Sequence, residues 1–115
     1  MSEIPAGVRT ALDGLRALGG EGLLKQMAAV FVQHSGDRVQ ALETAATSGD
    51  FVAAAAAAHA LKGSARQLGM IVMGDACVAA EQAAKAGDTA GLQLKAAAVH
   101  AEYTTAADWL AQLTA

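Results

Sequence analysis

A histidine, a lysine and a glycine lie close together in the stretch His59-Ala60-Leu61-Lys62-Gly63. In a helix, Lys62 and Gly63 follow His59 by three and four residues, so all three residues share one face. Glycine costs about 1 kcal/mol relative to alanine inside a helix. Because alanine is abundant in this segment, we expect Gly63 to provide access to the imidazole ring rather than stability.

The surroundings of His59 are small and locally basic. Six alanines precede it, and within residues 51–74 the only charged side chains are Lys62 and Arg66. The chain as a whole carries a formal net charge of −3. A basic patch on an acidic protein, with an imidazole on a flat surface, suits an anion, an acidic protein partner, or both.

The composition indicates which elements position these residues. Hydrophobic residues make up 54% of the chain but aromatic residues only 3%, and alanine favours helices over strands. The acidic balance argues against nucleic-acid binding. No apolar run reaches the ~18 residues of a membrane span, and the N-terminus lacks the pattern of a signal peptide. Together with the single cysteine, Cys77, these features predict a cytoplasmic protein that does not bind membranes.

Glycines divide the chain into helical segments. Breaks are expected at Gly19-Gly20, Ser48-Gly49-Asp50, Gly69 and Gly87-Asp88, where glycine can end one helix and aspartate can cap the next. Residues 35–37 are either a further break or a bend. Between the breaks, apolar residues recur at spacings of three and four. This pattern predicts one all-α domain over residues 1–115: an up-and-down antiparallel four-helix bundle over about 21–113, with a short extra N-terminal helix over about 5–18.

The same periodicity places His59 at the edge of the core. Ala58, Leu61 and Ala65 belong to the apolar stripe of its helix, and His59 lies one residue past that stripe, about 100° around the helix. We therefore expect one side of the ring to be buried and the other to face solvent.

The sequence around His59 resembles a known family. The run from His59 to Ala65, followed by Leu68-Gly69, is similar to the signature of histidine-containing phosphotransfer (Hpt) domains, and Cys77 and Glu81 follow it in the family's C-x-x-x-E context. The resemblance covers roughly residues 20–87. It implies a four-helix bundle that relays phosphoryl groups between receiver-domain aspartates, or from a histidine kinase to a receiver domain.

The resemblance also implies roles for individual residues. His59 is expected to accept and donate the phosphoryl group, Lys62 to offset the charge of its oxygens, and Gly63 to give the partner access. Glu81 is our candidate for the group that orients the ring, and Gln82 is the alternative because a one-residue error in register would exchange them.

A partner is expected to dock around this site. Candidate docking residues lie on both sides of His59 along its helix: Ala55, Ala56, Ser64, Arg66 and Gln67. The expected partners are the receiver domain of a response regulator and a histidine kinase or hybrid-kinase receiver. We expect the domain to be a monomer without a cofactor or metal of its own, the receiver supplying Mg²⁺. No nucleotide-binding loop is present, so we expect a phosphocarrier without ATP-dependent kinase activity.

The sequence leaves three alternative functions to consider. An interaction module could retain the fold without phosphotransfer. The dimerisation region of a histidine kinase would carry an acidic residue directly after the histidine, whereas Ala60 follows here. A di-iron bundle would use Glu-x-x-His pairs, and none of His34, His59 or His100 has a glutamate three residues before it. We assign His34 and His100 to packing or solvent.

Overall fold

The protein is a bundle of four α-helices. The structure, a computed structural model, describes residues 3–115, and its helices are α1 (Ala6–Ser48), α2 (Phe51–Gln67), α3 (Ile71–Lys85) and α4 (Thr89–Leu113). Helix α2 packs between α1 and α3, and α4 packs between α3 and α1. Because short turns join them, consecutive helices run in opposite directions, which confirms the predicted fold class. Across residues 3–115, no helix combines the length and the apolar character needed to cross a membrane.

Helix α1 is divided by a kink at Gly20. This residue has φ 75° and ψ −170°, a conformation that glycine adopts easily and other residues do not. Residues 6–19 form an accessory segment, which is the short N-terminal helix expected from the sequence. Its side chains Val8 and Leu12 are buried against the bundle. By contrast, the helix continues through residues 35–37, where Gly36 lies against the hydroxyl of Tyr103.

Two turns combine a left-handed glycine with an aspartate cap. Gly49 and Gly87 follow α1 and α3 with φ of 76° and 67°. Asp50 and Asp88 then accept hydrogen bonds from the backbone N–H three residues further on, at 3.0 and 2.9 Å. These contacts satisfy backbone groups that a helix end leaves unpaired, and they start α2 and α4 at defined positions.

The turn between α2 and α3 is tighter and contacts the accessory segment. Gly69 has φ 73°, and the Met70 N–H donates to the Ala65 carbonyl at 2.9 Å. A Cβ atom added to Gly69 would lie 2.6 Å from the carbonyl carbon of Gly7. The accessory segment therefore packs backbone to backbone on this turn, which only a glycine permits.

Small side chains bring α2 and α3 together. Ala54, Ala58 and Ala65 of α2 and Ala80 and Ala84 of α3 are fully or almost fully buried. Since alanine adds little width to a helix, the two backbones approach closely along this seam. Residues at its edge can therefore contact each other across the two helices.

Substitution of Gly69 tests the contact with the accessory segment. We expect Gly69→Ala to lower the free energy of unfolding by about 1–2 kcal/mol from left-handed strain and by about a further 1–3 kcal/mol from the clash with Gly7. Gly87→Ala is the matched control, because its φ is also positive but an added Cβ meets no atom within 4 Å. Urea denaturation of both variants measures the difference, and equal losses would contradict the contact.

Candidate functional site

His59 and Glu81 face each other across the seam between α2 and α3. Each follows a buried alanine of its own helix, Ala58 and Ala80 respectively. The His59 side chain is 67% exposed and the Glu81 side chain only 11%. The ring Nδ1 lies 3.2 Å from Glu81 Oε2. The histidine thus has one nitrogen at a buried carboxylate, while most of the side chain remains open to solvent.

This contact determines the tautomer of the ring. An ionised carboxylate can only accept hydrogen bonds, so Nδ1 must carry the hydrogen and donate it to Glu81. In a neutral imidazole the other nitrogen, Nε2, then holds the free lone pair. The neutral ring therefore has its free lone pair on the nitrogen that does not contact Glu81.

Two lysines also bind the Glu81 carboxylate. Lys62 of α2 donates from Nζ to Oε1 at 3.3 Å, and Nζ of Lys85 lies 3.2 Å from Oε2. Lys62 is 22% exposed and Lys85 67% exposed. Glu81 is thus the centre of a network that includes His59 and joins α2 to α3.

The two lysines lower the pKa of Glu81. Burial raises the pKa of the Glu81 carboxyl, but the hydrogen bonds and positive charges of Lys85 and Lys62 act in the opposite direction and prevail. The pKa of Glu81 is therefore lower than its ordinary value. At neutral pH the group that faces His59 is a carboxylate.

The helix surface beside His59 is open. A Cβ atom added to Gly63 would meet no atom within 4 Å, so glycine is not required there by packing within the domain. Ala56 is exposed, and Ala55 is half-buried against the core. The structure therefore leaves room for another protein on both sides of the ring.

The remaining predicted docking residues face different directions. The exposed Arg66 lies across α3, with its Cγ 3.2 Å from the Cβ position of the buried Gly74. Ser64 donates to the Ala60 carbonyl at 3.3 Å, and with Gln67 it lines a small cavity between α1 and α2. Arg66 thus lies on the α3 side of α2, while Ser64 and Gln67 lie on the α1 side.

Cys77 belongs to the core below the site. Burial raises the pKa of its thiol to about 11, although the positive charges of Arg66 and Lys62 act to lower it. The thiol is therefore protonated at neutral pH and unreactive.

The comparison with protein families identifies this arrangement. The sequence model described as the Hpt domain matches residues 26–113, about three quarters of the chain. The chain belongs to the Hpt domain family. Its function is histidine phosphotransfer in a phosphorelay, and Hpt domains interact with the kinases and receiver domains of two-component systems.

A solved structure agrees with this Hpt fold. The chain is similar to the crystal structure of histidine-containing phosphotransfer protein B (HptB) from Pseudomonas aeruginosa PAO1, with a TM-score of 0.87 and 21% sequence identity. The alignment covers 97% of this chain and 96% of that one. Among curated proteins, none matches the sequence.

The structure distinguishes between the two alternatives for the residue beside His59. Glu81 contacts the ring, whereas Gln82 is exposed. Lys85 was not predicted as a site residue. Its position four residues after Glu81 could have indicated this contact, because that spacing pairs opposite charges on one helix face. The expected role of Lys62 at the phosphoryl group stays a prediction; in this structure Lys62 binds Glu81.

Another histidine also has a carboxylate partner. His100 of α4, which we expected in packing or solvent, has its Nδ1 2.6 Å from Glu43 Oε1 of α1, and both side chains are about half exposed. His34 is exposed beside the cavity between α1 and α2.

The lowered pKa of Glu81 predicts a dependence of stability on pH. A carboxyl group whose pKa is lower in the folded state stabilises it above the ordinary glutamate pKa of about 4.3, and this contribution disappears as pH falls through the folded-state value. We expect Glu81→Gln to lower the free energy of unfolding at pH 7, and the difference from wild type to shrink steadily below about pH 4.3. Urea denaturation between pH 7 and 3 measures it. A difference that stays constant over this range would contradict the ionic role of Glu81.

Proposed function

We propose that His59 is the residue that carries the phosphoryl group in this Hpt domain. The observation that supports this most directly is the hydrogen bond from Nδ1 to the buried Glu81 carboxylate, which leaves the Nε2 lone pair free on a side chain that is 67% exposed. A partner can reach such a nitrogen, and its direction is constrained before the partner arrives.

The proposed reaction is an in-line transfer from a phosphorylated receiver aspartate. The Nε2 lone pair attacks phosphorus, a P–N bond forms, and the P–O bond to the aspartate breaks with its electron pair returning to the carboxylate. The proton on Nδ1 remains in place, so the ring acquires a positive charge. Glu81 accepts the hydrogen bond from Nδ1, and its negative charge stabilises the positive charge that develops on the ring. The reverse reaction passes the phosphoryl group to the next aspartate.

Lys62 is the cation that we propose for the phosphoryl oxygens. It follows His59 by three residues on the same face of α2, and positive charge close to a transferring phosphoryl group lowers the barrier. In the free domain its amino group is bound to Glu81. We propose that it moves from Glu81 towards the phosphoryl group during transfer.

The proposed partners are a receiver domain and a histidine kinase or the receiver of a hybrid kinase. The open surface at Ala55, Ala56 and Gly63 accepts their backbone, and Arg66, Gln67 and Ser64 contact them at its borders. We propose further that the receiver supplies the Mg²⁺ ion with its own acidic residues. The domain acts as a monomer in the cytoplasm, as a phosphocarrier without kinase activity of its own.

Labelling of His59 tests the proposal directly. Incubation with a panel of phosphorylated receivers and hybrid kinases is expected to label the wild-type protein and to leave His59→Gln unlabelled. The label should be labile in acid and stable in alkali, as expected for a phosphorylated imidazole. His100→Gln is the matched control, because it also removes a histidine whose Nδ1 contacts a glutamate, and it should be labelled like wild type. Equal labelling of His59→Gln would place the site elsewhere, and no labelling of the wild type would favour the interaction module.

Substitution of Gly63 tests the role of the open surface. Gly63→Ala is expected to raise the free energy of unfolding by up to about 1 kcal/mol, because alanine favours the helix and meets no neighbour. The same change is expected to slow phosphotransfer roughly tenfold or more, since small displacements of reacting groups are costly. Gly14→Ala in the accessory segment is the control, because an added Cβ there also has open space. It should stabilise the fold without slowing transfer, and an undiminished rate for Gly63→Ala would contradict the assignment.

A further inference from the structure

We propose that Lys85 is a positioning residue: it remains bound to Glu81 as its counter-ion when Lys62 leaves for the phosphoryl group. The inference rests on the proposed function of His59 and adds a residue to it. It follows from the contacts of Glu81, whose Oε1 binds Lys62 at 3.3 Å and whose Oε2 is 3.2 Å from both Lys85 and His59.

The proposed role of Lys62 in transfer takes its amino group away from Glu81. Its amino group lies on Glu81 in this structure, and a phosphoryl group on Nε2 of His59 would bring two further negative charges close to it. If Lys62 moved and Lys85 were absent, the nearly buried Glu81 would keep only the ring N–H as a donor. A buried carboxylate that loses its cation is strongly destabilised, and this would oppose the movement of Lys62.

Lys85 has the position to prevent this loss. It follows Glu81 by four residues on α3, in the order that favours a glutamate–lysine pair on a helix. It is also the last residue of α3, where a positive charge interacts favourably with the helix dipole. Its contact involves Oε2 and not the oxygen that Lys62 leaves. Lys85 can therefore stay in place whether or not α2 and its phosphoryl group draw Lys62 away.

The resulting charges are balanced in the phosphorylated state. The phosphoryl group is then paired with Lys62, and the carboxylate of Glu81 is paired with Lys85 and with the positive ring of His59. Each anion has a cation of its own. In the free state, where Glu81 is the only anion of the network, both lysines share it.

The experiment measures the rate of phosphoryl transfer from a phosphorylated receiver in a single turnover at saturating receiver concentration. This condition separates transfer from docking. We expect Lys85→Gln to slow transfer about fivefold, on the scale of coupled charged neighbours, and Lys85→Arg to restore most of the rate. Lys95→Gln, which removes an exposed lysine of α4, should transfer like wild type.

The same substitution of Lys85, made in a variant that lacks the charge of Glu81, shows whether Lys85 acts through that charge. Glutamine at position 81 can still accept the ring N–H but needs no counter-ion. In the Glu81→Gln background, Lys85→Gln is therefore expected to change the rate less than about twofold, the scale of an exposed pair. In parallel, the ¹⁵N signal of the Lys62 amino group should shift on phosphorylation in the wild type and much less in Lys85→Gln.

The outcomes separate this inference from the proposed function. If the wild type transfers through His59 and Lys85→Gln behaves like Lys95→Gln, the role of Lys85 is rejected and that of His59 remains. A slowing of the same size in both backgrounds also rejects it, because Lys85 would then act without the charge of Glu81. Absence of label on wild-type His59 rejects the proposed function and this inference together. Urea denaturation of each variant shows whether a slower rate follows from loss of folded protein.

Discussion

The site depends on one carboxylate that lies nearly buried between two helices. Glu81 of α3 binds His59 and Lys62 of α2 and Lys85 of its own helix. Without this carboxylate the imidazole would have no partner to fix its tautomer, and the two lysines would have no shared anion. Because the carboxylate is largely removed from water, its contacts are stronger than those of an exposed ion pair, and the lysines hold its pKa below the ordinary value.

The rest of the bundle serves to place that carboxylate. Buried alanines bring the backbones of α2 and α3 close together, and the left-handed Gly69 joins them by a tight turn. Gly74 leaves room for the aliphatic part of Arg66 on the surface of α3. The accessory segment packs on the same turn through Gly7. The turn is thus held from outside as well, which limits sliding of one helix along the other.

A comparison of the two histidine–glutamate pairs shows how the site at His59 differs from an ordinary surface contact. His100 and Glu43 also connect two helices through Nδ1, at 2.6 Å. The Glu43 side chain is 42% exposed, far more than that of Glu81, and within residues 3–115 it forms an ion pair with His100 but with no lysine. At His59, by contrast, the glutamate is nearly buried, two lysines neutralise it, and a glycine leaves open surface beside the ring. The same pair of residue types therefore gives a surface contact in one groove and a candidate reaction site in the other.

The sequence by itself determined three properties of this protein. These are the helical character of the chain, the positions of the turns, and the location of His59 at the edge of the core. These properties are local: alanine content, glycine followed by aspartate, and apolar spacing act within one segment of the chain. The motif from His59 to Gly63 was equally visible, and the resemblance it carries led to the family.

Contacts between segments were decided only by the tertiary structure. Glu81 and Gln82 are adjacent in sequence and about 100° apart around α3, so the register of α3 against α2 determines which of them meets His59. The attachment of Lys62 to Glu81, and the packing of Gly7 on Gly69, depend on distances between elements far apart in the chain. Periodicity indicates approximately which face of a helix is buried. It specifies neither the exact rotation of that helix nor how far the helix is shifted along its neighbour, and the chemistry of this site depends on both.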